Sequence, residues 1–167
     1  NGIAVRKADT GKYGSTLTAF TKYVTDHPDT KVCIRSEFRT RADGIIGLNR
    51  VYGHWDFPGL TDIQGNAEKV IADGSCAAGE VFTTDSGINA KDLVALTDDK
   101  KLFPPDNVGL IVNSAVLQAH PDIQAILAPL ASKITSDVIT GLNKQVEIDG
   151  KPFDAVAKDY LQSNGLL

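Results

Sequence analysis

The 167-residue sequence predicts an α/β fold: a doubly wound lobe over residues 1–107 followed by a helical segment over 108–167. Three observations carry this. Short apolar, β-favouring runs alternate with helical stretches as far as residue 112, and beyond it the periodicity is helical only. Gly79–Phe82 is an apolar run that stops in Thr83-Thr84-Asp85-Ser86-Gly87, hydroxyls and a carboxylate where a buried strand ends. A Pro104-Pro105 corner then separates the lobe from the tail.

In order along the chain, IAVRK (3–7) reads as a strand and Gly11–Gly14 as a turn. Ser15 or Thr16 can cap a helix through LTAFTKYVTDHP, where Leu17, Phe20 and Val24 recur at helical spacing and Pro28 breaks the chain. VCIRS (32–36) is a second strand, and IIGLNRVYG a helix closed at Gly53. LTDIQGNAEKVIADG (60–74) reads as a helix weakened by Gly65, so that its start shifts toward Asn66. A strand follows Gly79, and another precedes the acidic loop Thr97-Asp98-Asp99-Lys100. VGLIVNSAVL (108–117) begins as a buried strand and becomes helical near Ser114, a candidate cap. HPDIQAILAPLASK carries Pro121 in its first turn and Pro129 at its end or kink. Thr135-Ser136-Asp137 opens the next helix, Asp149-Gly150 is a turn, and PFDAVAKDYLQSNGLL is amphipathic up to Gly165.

A net charge of −4 argues against nucleic-acid binding. No run approaches the roughly 18 apolar residues of a membrane span. Cys33 and Cys76 show no zinc-type spacing. Adjacent strands could bring them together in a disulfide, and two free buried thiols are the alternative.

Five segments carry a resemblance to one family. IAVRKA, SEFRTRADGIIGLNRVYG, GEVFTTD, DLVALTDDKKLFPPDN and LNKQVEIDGKPFDAVAKDYLQSNGLL, in this order, resemble the solute-binding proteins of bacterial ABC importers for glycine betaine, choline, carnitine and related osmoprotectants. The resemblance implies a type II periplasmic-binding-protein fold working outside the cytoplasm with a membrane permease, and needing no cofactor. It further implies that residues up to about 105 form the second lobe and that the helices after about 108 pack on the first. The N-terminal part of that first lobe has no counterpart here, so a second copy could supply the cover by domain swapping.

Candidate ligand residues fall in three clusters. Ser36, Glu37 and Arg41 belong to a segment similar to the family's SEF-xx-R-xDG, whose Arg can take a ligand carboxylate with its planar fork. Arg41 could instead pair with Glu37 or Asp43 and hold the loop. Phe82, Thr83, Thr84 and Asp85 match the place where the family puts an aromatic before a TD pair, as one wall of a cage for a quaternary ammonium. Phe82 as plain core is the alternative. At the two crossover segments the sequence departs from the pattern: Asn1 and Asp106 stand where the family has Tyr. The pocket is therefore expected to be altered and to suit a small polar or zwitterionic solute.

Catalysis is not indicated. His27, His54 and His120 are scattered without metal-ligand spacing, and GxSxG, GxxxxGK[ST] and GxGxxG are absent. The pair Asp98-Asp99 reads as a solvated turn, and Tyr52 and Trp55 as packing residues. A non-catalytic α/β domain for protein-partner binding or regulation is the competing function.

Overall fold

The computed structural model describes residues 1–105, 109 and 111–167. It divides into two compact units, Asn1–Pro105 and Asp106–Leu167.

The first unit is built on a five-stranded sheet. In chain order it contains β1 (Gly2–Arg6), α1 (Thr10–Tyr13), α2 (Leu17–Asp26), β2 (Val32–Arg35), α3 (Ile45–Tyr52), β3 (Leu60–Ile63), α4 (Ala67–Ala72), β4 (Ala78–Val81), α5 (Gly87–Ala90) and β5 (Leu93–Ala95). The strand order is β3-β2-β4-β1-β5. β2 runs parallel to β3 and β4, whereas β1 runs antiparallel to both β4 and β5.

Helices on both faces explain why the strands read as continuous apolar runs rather than alternating ones. Ile3, Val5, Val32 and Ile34 point into a large cluster with Leu17, Phe20, Val24, Leu48 and Trp55. Ala4 and Val81 join Ala67, Ile71, Ile88 and Leu93 on the opposite face. The indole of Trp55 is fully buried, and its Nε1–H donates to Thr21 Oγ1 at 2.9 Å, so no polar atom of that ring is stranded in the core.

Local signals place the helices. Thr16, rather than Ser15, caps α2 by accepting the Ala19 N–H, and Asn66 caps α4 by accepting that of Lys69. Gly53 ends α3 at φ 77°, a left-handed conformation that suits glycine. Two expectations are corrected here. The Gly11–Gly14 turn is α1 with Gly14 just beyond it. The first half of the 60–74 helix is strand β3, whose pairing with β2 outweighs the local helical pattern.

The second unit contains α6 (Ser114–Ala119), α7 (Asp122–Lys133), α8 (Ser136–Glu147) and α9 (Phe153–Ser163). Asn113, not Ser114, caps α6, and Pro129 lies inside α7 instead of ending it. Of the expected strand at 108–112, Val108 and Leu110 lie outside the described residues. Among the described residues of that run, Gly109, Ile111 and Val112 are not in a strand, and Ile111 is 99% exposed. Thr135 caps α8, and the Tyr160 hydroxyl of α9 donates to the Lys133 carbonyl at 3.0 Å.

Candidate functional site

Sheet direction gathers the sequence-predicted residues. The parallel strands β2 and β4 end at the same side of the sheet, so the segments after Arg35 and after Val81 emerge as neighbours. β1 runs the other way and pairs Gly2 with Val81, which brings Asn1 to that same side. Asn1, Ser36, Glu37, Arg41 and Phe82–Asp85 thus share one sheet end, where open α/β sheets meet their ligands. Asp106 lies outside the described residues.

After β2 the chain forms a 3-10 turn, Ser36–Arg39, with Phe38 buried beneath it and Ser36 and Glu37 exposed. Gly44 closes the loop because nothing larger fits: a Cβ there would sit 2.0 Å from the Phe38 carbonyl oxygen. Within that loop Arg41 grips Asp43 with both arms, Nε to Oδ1 at 2.9 Å and Nη2 to Oδ2 at 2.7 Å. The Arg41 guanidinium beside it holds the Asp43 carboxyl below the usual carboxylate range. Of the two partners weighed from sequence, Asp43 is the one taken in this structure. The Arg41 side chain is still 38% exposed, so a ligand carboxylate can approach it in competition with Asp43.

After β4, Asp85 folds the chain back on itself. Its Oδ2 accepts the Phe82 N–H at 2.9 Å, and its own N–H donates to the Phe82 carbonyl at the same distance. Phe82 is 43% exposed and is not a core residue. The Arg35 guanidinium carbon lies 4.8 Å from its ring centroid, so a cation of the protein itself already covers one face. Thr83 is exposed and Thr84 half-buried.

Three charged residues that sequence reasoning passed over support this rim. Glu80, 2% exposed in the middle of the sheet, pairs with Arg35 at 3.2 Å and also accepts the Arg35 N–H. Arg35 therefore bridges a buried carboxylate and the exposed ring of Phe82. Glu68, on α4, is 3% exposed. Burial first, and then Asp85, push its carboxyl up to about 7. The available signal was a charge inside an otherwise apolar run: Glu80 within AGEV, and Glu68 on the buried side of α4.

Cys33 and Cys76 are joined in a disulfide with Cα atoms 6.0 Å apart, tying β2 to the residues before β4. The acidic pair is structural. Asp98 accepts the Tyr52 hydroxyl at 2.5 Å and the Phe103 N–H, while Asp99 accepts the backbone N–H and hydroxyl of Thr18. Burial, with Asp98 adding to it, raises the Tyr52 phenol above its ordinary range. The first unit has an open groove of ≈ 530 Å³ along Asp98–Pro105, and the second unit one of ≈ 370 Å³ among Val112, Leu117, Ile123 and Leu127.

Comparison with known proteins gives this arrangement its context. Residues 1–163 match the family model described as the substrate binding domain of the ABC-type glycine betaine transport system. The chain is 32% identical over 165 residues to the ergothioneine transport permease/ergothioneine binding protein EgtU of Helicobacter pylori, covering 98% of this chain and 29% of that protein. It is 29% identical over 133 residues to a glycine-betaine-binding protein of Pseudomonas aeruginosa, covering 78% of this chain and 43% of that one. A crystal structure of a glycine betaine/carnitine/choline ABC transporter superposes with a TM-score of 0.80 at 26% identity, over 99% of this chain and 60% of that chain. The chain thus spans less than two thirds of the length of these relatives, and its fold is that of the type II periplasmic binding proteins. On these grounds the chain belongs to the substrate-binding-domain family of the glycine betaine ABC transport systems.

Proposed function

We propose that this chain supplies a ligand-bearing wall of a solute-binding protein that works outside the cytoplasm and hands a small zwitterion to an ABC permease. The observation that carries the reading is the single rim formed by Asn1, Ser36–Gly44 and Phe82–Asp85, with an Arg41 fork at one place and an exposed ring at another. A forked guanidinium suits a carboxylate, and an aromatic ring suits an alkylated ammonium, so a betaine-like solute meets both. Ser36, Glu37, Thr83, Thr84 and Asp106 add polar contacts in this reading. Closure on the solute of a second wall is the signal a permease reads, and no chemistry is performed.

Residues 1–107 act as the second lobe, and residues 108–167 pack on a first-lobe sheet, from the same polypeptide or from a second copy. Ile126 at 66% and Phe153 at 77% exposed support such a cover.

The test is calorimetric titration of the longest natural polypeptide containing this chain with glycine betaine, carnitine, ergothioneine and choline. Arg41→Ala is expected to weaken the three carboxylate-bearing solutes about tenfold, the low end for a charged hydrogen-bonded pair because Asp43 competes. Choline, which has no carboxylate, should be unaffected by that change. Absence of saturable binding by any of the four, or an equal loss for choline, overturns the reading.

A further inference from the structure

We propose that Arg35 is a specificity-determining residue of the rim. Anchored on Glu80 and lying over the Phe82 ring, it takes the place on one ring face where an alkylated ammonium would sit, so the site favours solutes that bring a carboxylate over plain cations. The inference rests on the binding reading above and adds the charge pattern that the solute must carry.

The arrangement follows from where β2 and β4 end. Arg35 is the last residue of β2, Glu80 lies within β4, and Phe82 is the first residue beyond it. Glu80 is 2% exposed, and a carboxylate at that depth needs a partner. Arg35 answers it twice: Nη1 stands 3.2 Å from Oε1, and the backbone N–H donates to Oε2 at 3.2 Å. The Arg35 side chain is itself 22% exposed, so the pair buries its negative end and turns its positive end toward Phe82. The guanidinium carbon lies 4.8 Å from the ring centroid, inside the roughly 6 Å over which a ring face holds a cation. Phe82 is also fixed through its backbone, because Asp85 Oδ2 accepts its N–H at 2.9 Å. With one face of its ring taken, Phe82 is still 43% exposed, which leaves surface for a solute.

A cation arriving at this ring therefore meets a like charge already in place, and at a partly desolvated surface that repulsion is stronger than in bulk water. A zwitterion brings its own remedy. Its carboxylate is drawn to the guanidinium that repels its ammonium, and to the Arg41 fork in the neighbouring loop. The carboxylates of the rim do not reverse this balance. Glu80 is engaged with Arg35, Asp43 with Arg41 and Asp85 with the Phe82 N–H, while Glu37 stands exposed in the turn after β2.

The test uses the longest natural polypeptide containing this chain, titrated calorimetrically with glycine betaine and choline, which share a trimethylammonium and differ in the carboxylate. The native protein should prefer glycine betaine. Two neutral forms are compared with it: Arg35→Gln, and Arg35→Met combined with Glu80→Gln so that no charge is stranded in the sheet. In both, choline should tighten about fivefold and glycine betaine weaken about twofold, so that their affinity ratio falls about tenfold. Arg35→Lys, which keeps the charge, should hold the ratio within about threefold of native. Thermal midpoints identify the folded variants, and either neutral form suffices. A folded neutral form whose ratio stays at the native value, equal weakening of both solutes included, overturns the proposal and leaves Arg35 a purely structural ion pair. A native preference for choline, or a tenfold fall in Arg35→Lys as well, overturns it too. Absence of saturable binding of both solutes by the native protein instead overturns the binding reading, and the inference falls with it.

Discussion

The two units of this chain make opposite use of similar residues. In Asn1–Pro105 a sheet with helices on both faces buries aromatic and aliphatic side chains completely, among them Phe20, Phe38, Leu48 and Trp55. In Asp106–Leu167, Val156 is the one hydrophobic side chain buried among the described residues, and Ile111, Ile126 and Phe153 face solvent. The second unit's helices are as well capped as those of the first: Asn113 and Thr135 each accept a backbone N–H. Good local structure is therefore not a core. A sheet offers two faces to bury against, whereas four short helices without one must find their surface elsewhere.

Trp55, the sole tryptophan, lies in the first unit, so its fluorescence reports that unit alone. Far-ultraviolet circular dichroism also sees α7, α8 and α9, which are 12, 12 and 11 residues long. In denaturant the two probes should give separate transitions, the dichroism falling first; coincident curves would erase the distinction between the units. Against that background Phe20→Ala should produce the largest change. It empties a site whose ring stands 5.7 Å from Tyr13 and 5.9 Å from Trp55, and costs about 3–5 kcal/mol in the fluorescence transition. Reduction of Cys33–Cys76, which closes a loop of 43 residues, should cost about 2–4 kcal/mol by the same probe and leave the early dichroism change in place. Val156→Ala should be smallest, about 1 kcal/mol and visible only in the early change, since lost burial is partly offset by the better helix former. A Val156 effect as large as that of Phe20 would mean that the second unit has a full core after all.

These contrasts also explain what could be read before the structure. The motifs after β2 and β4 were legible because they are local: a polar turn after an apolar strand needs only neighbours in sequence. β3 was not, because LTDI becomes a strand only through its pairing with Val32–Arg35, some thirty residues away. Arg35, Glu68 and Glu80 escaped for the same reason. Each is ordinary in its own segment, and its role arises where β2, α4 and β4 converge. For Arg41 the pairing within its own loop was one of the two readings open from sequence, and the choice of Asp43 over Glu37 lay in loop geometry.

The position of β1 carries one more consequence, for the ribosome. It is the first element of the chain, yet it lies between β4 and β5, pairing with Ala78–Val81 on one side and Leu93–Ala95 on the other. Within this chain the residues that pair with Gly2–Arg6 lie more than seventy positions downstream, so these pairings form only after most of the first unit has been made. Its partners then arrive almost together, so the sheet is completed from its middle and late. Such non-local closure makes this unit a slow folder, with an exposed strand to shield in the meantime.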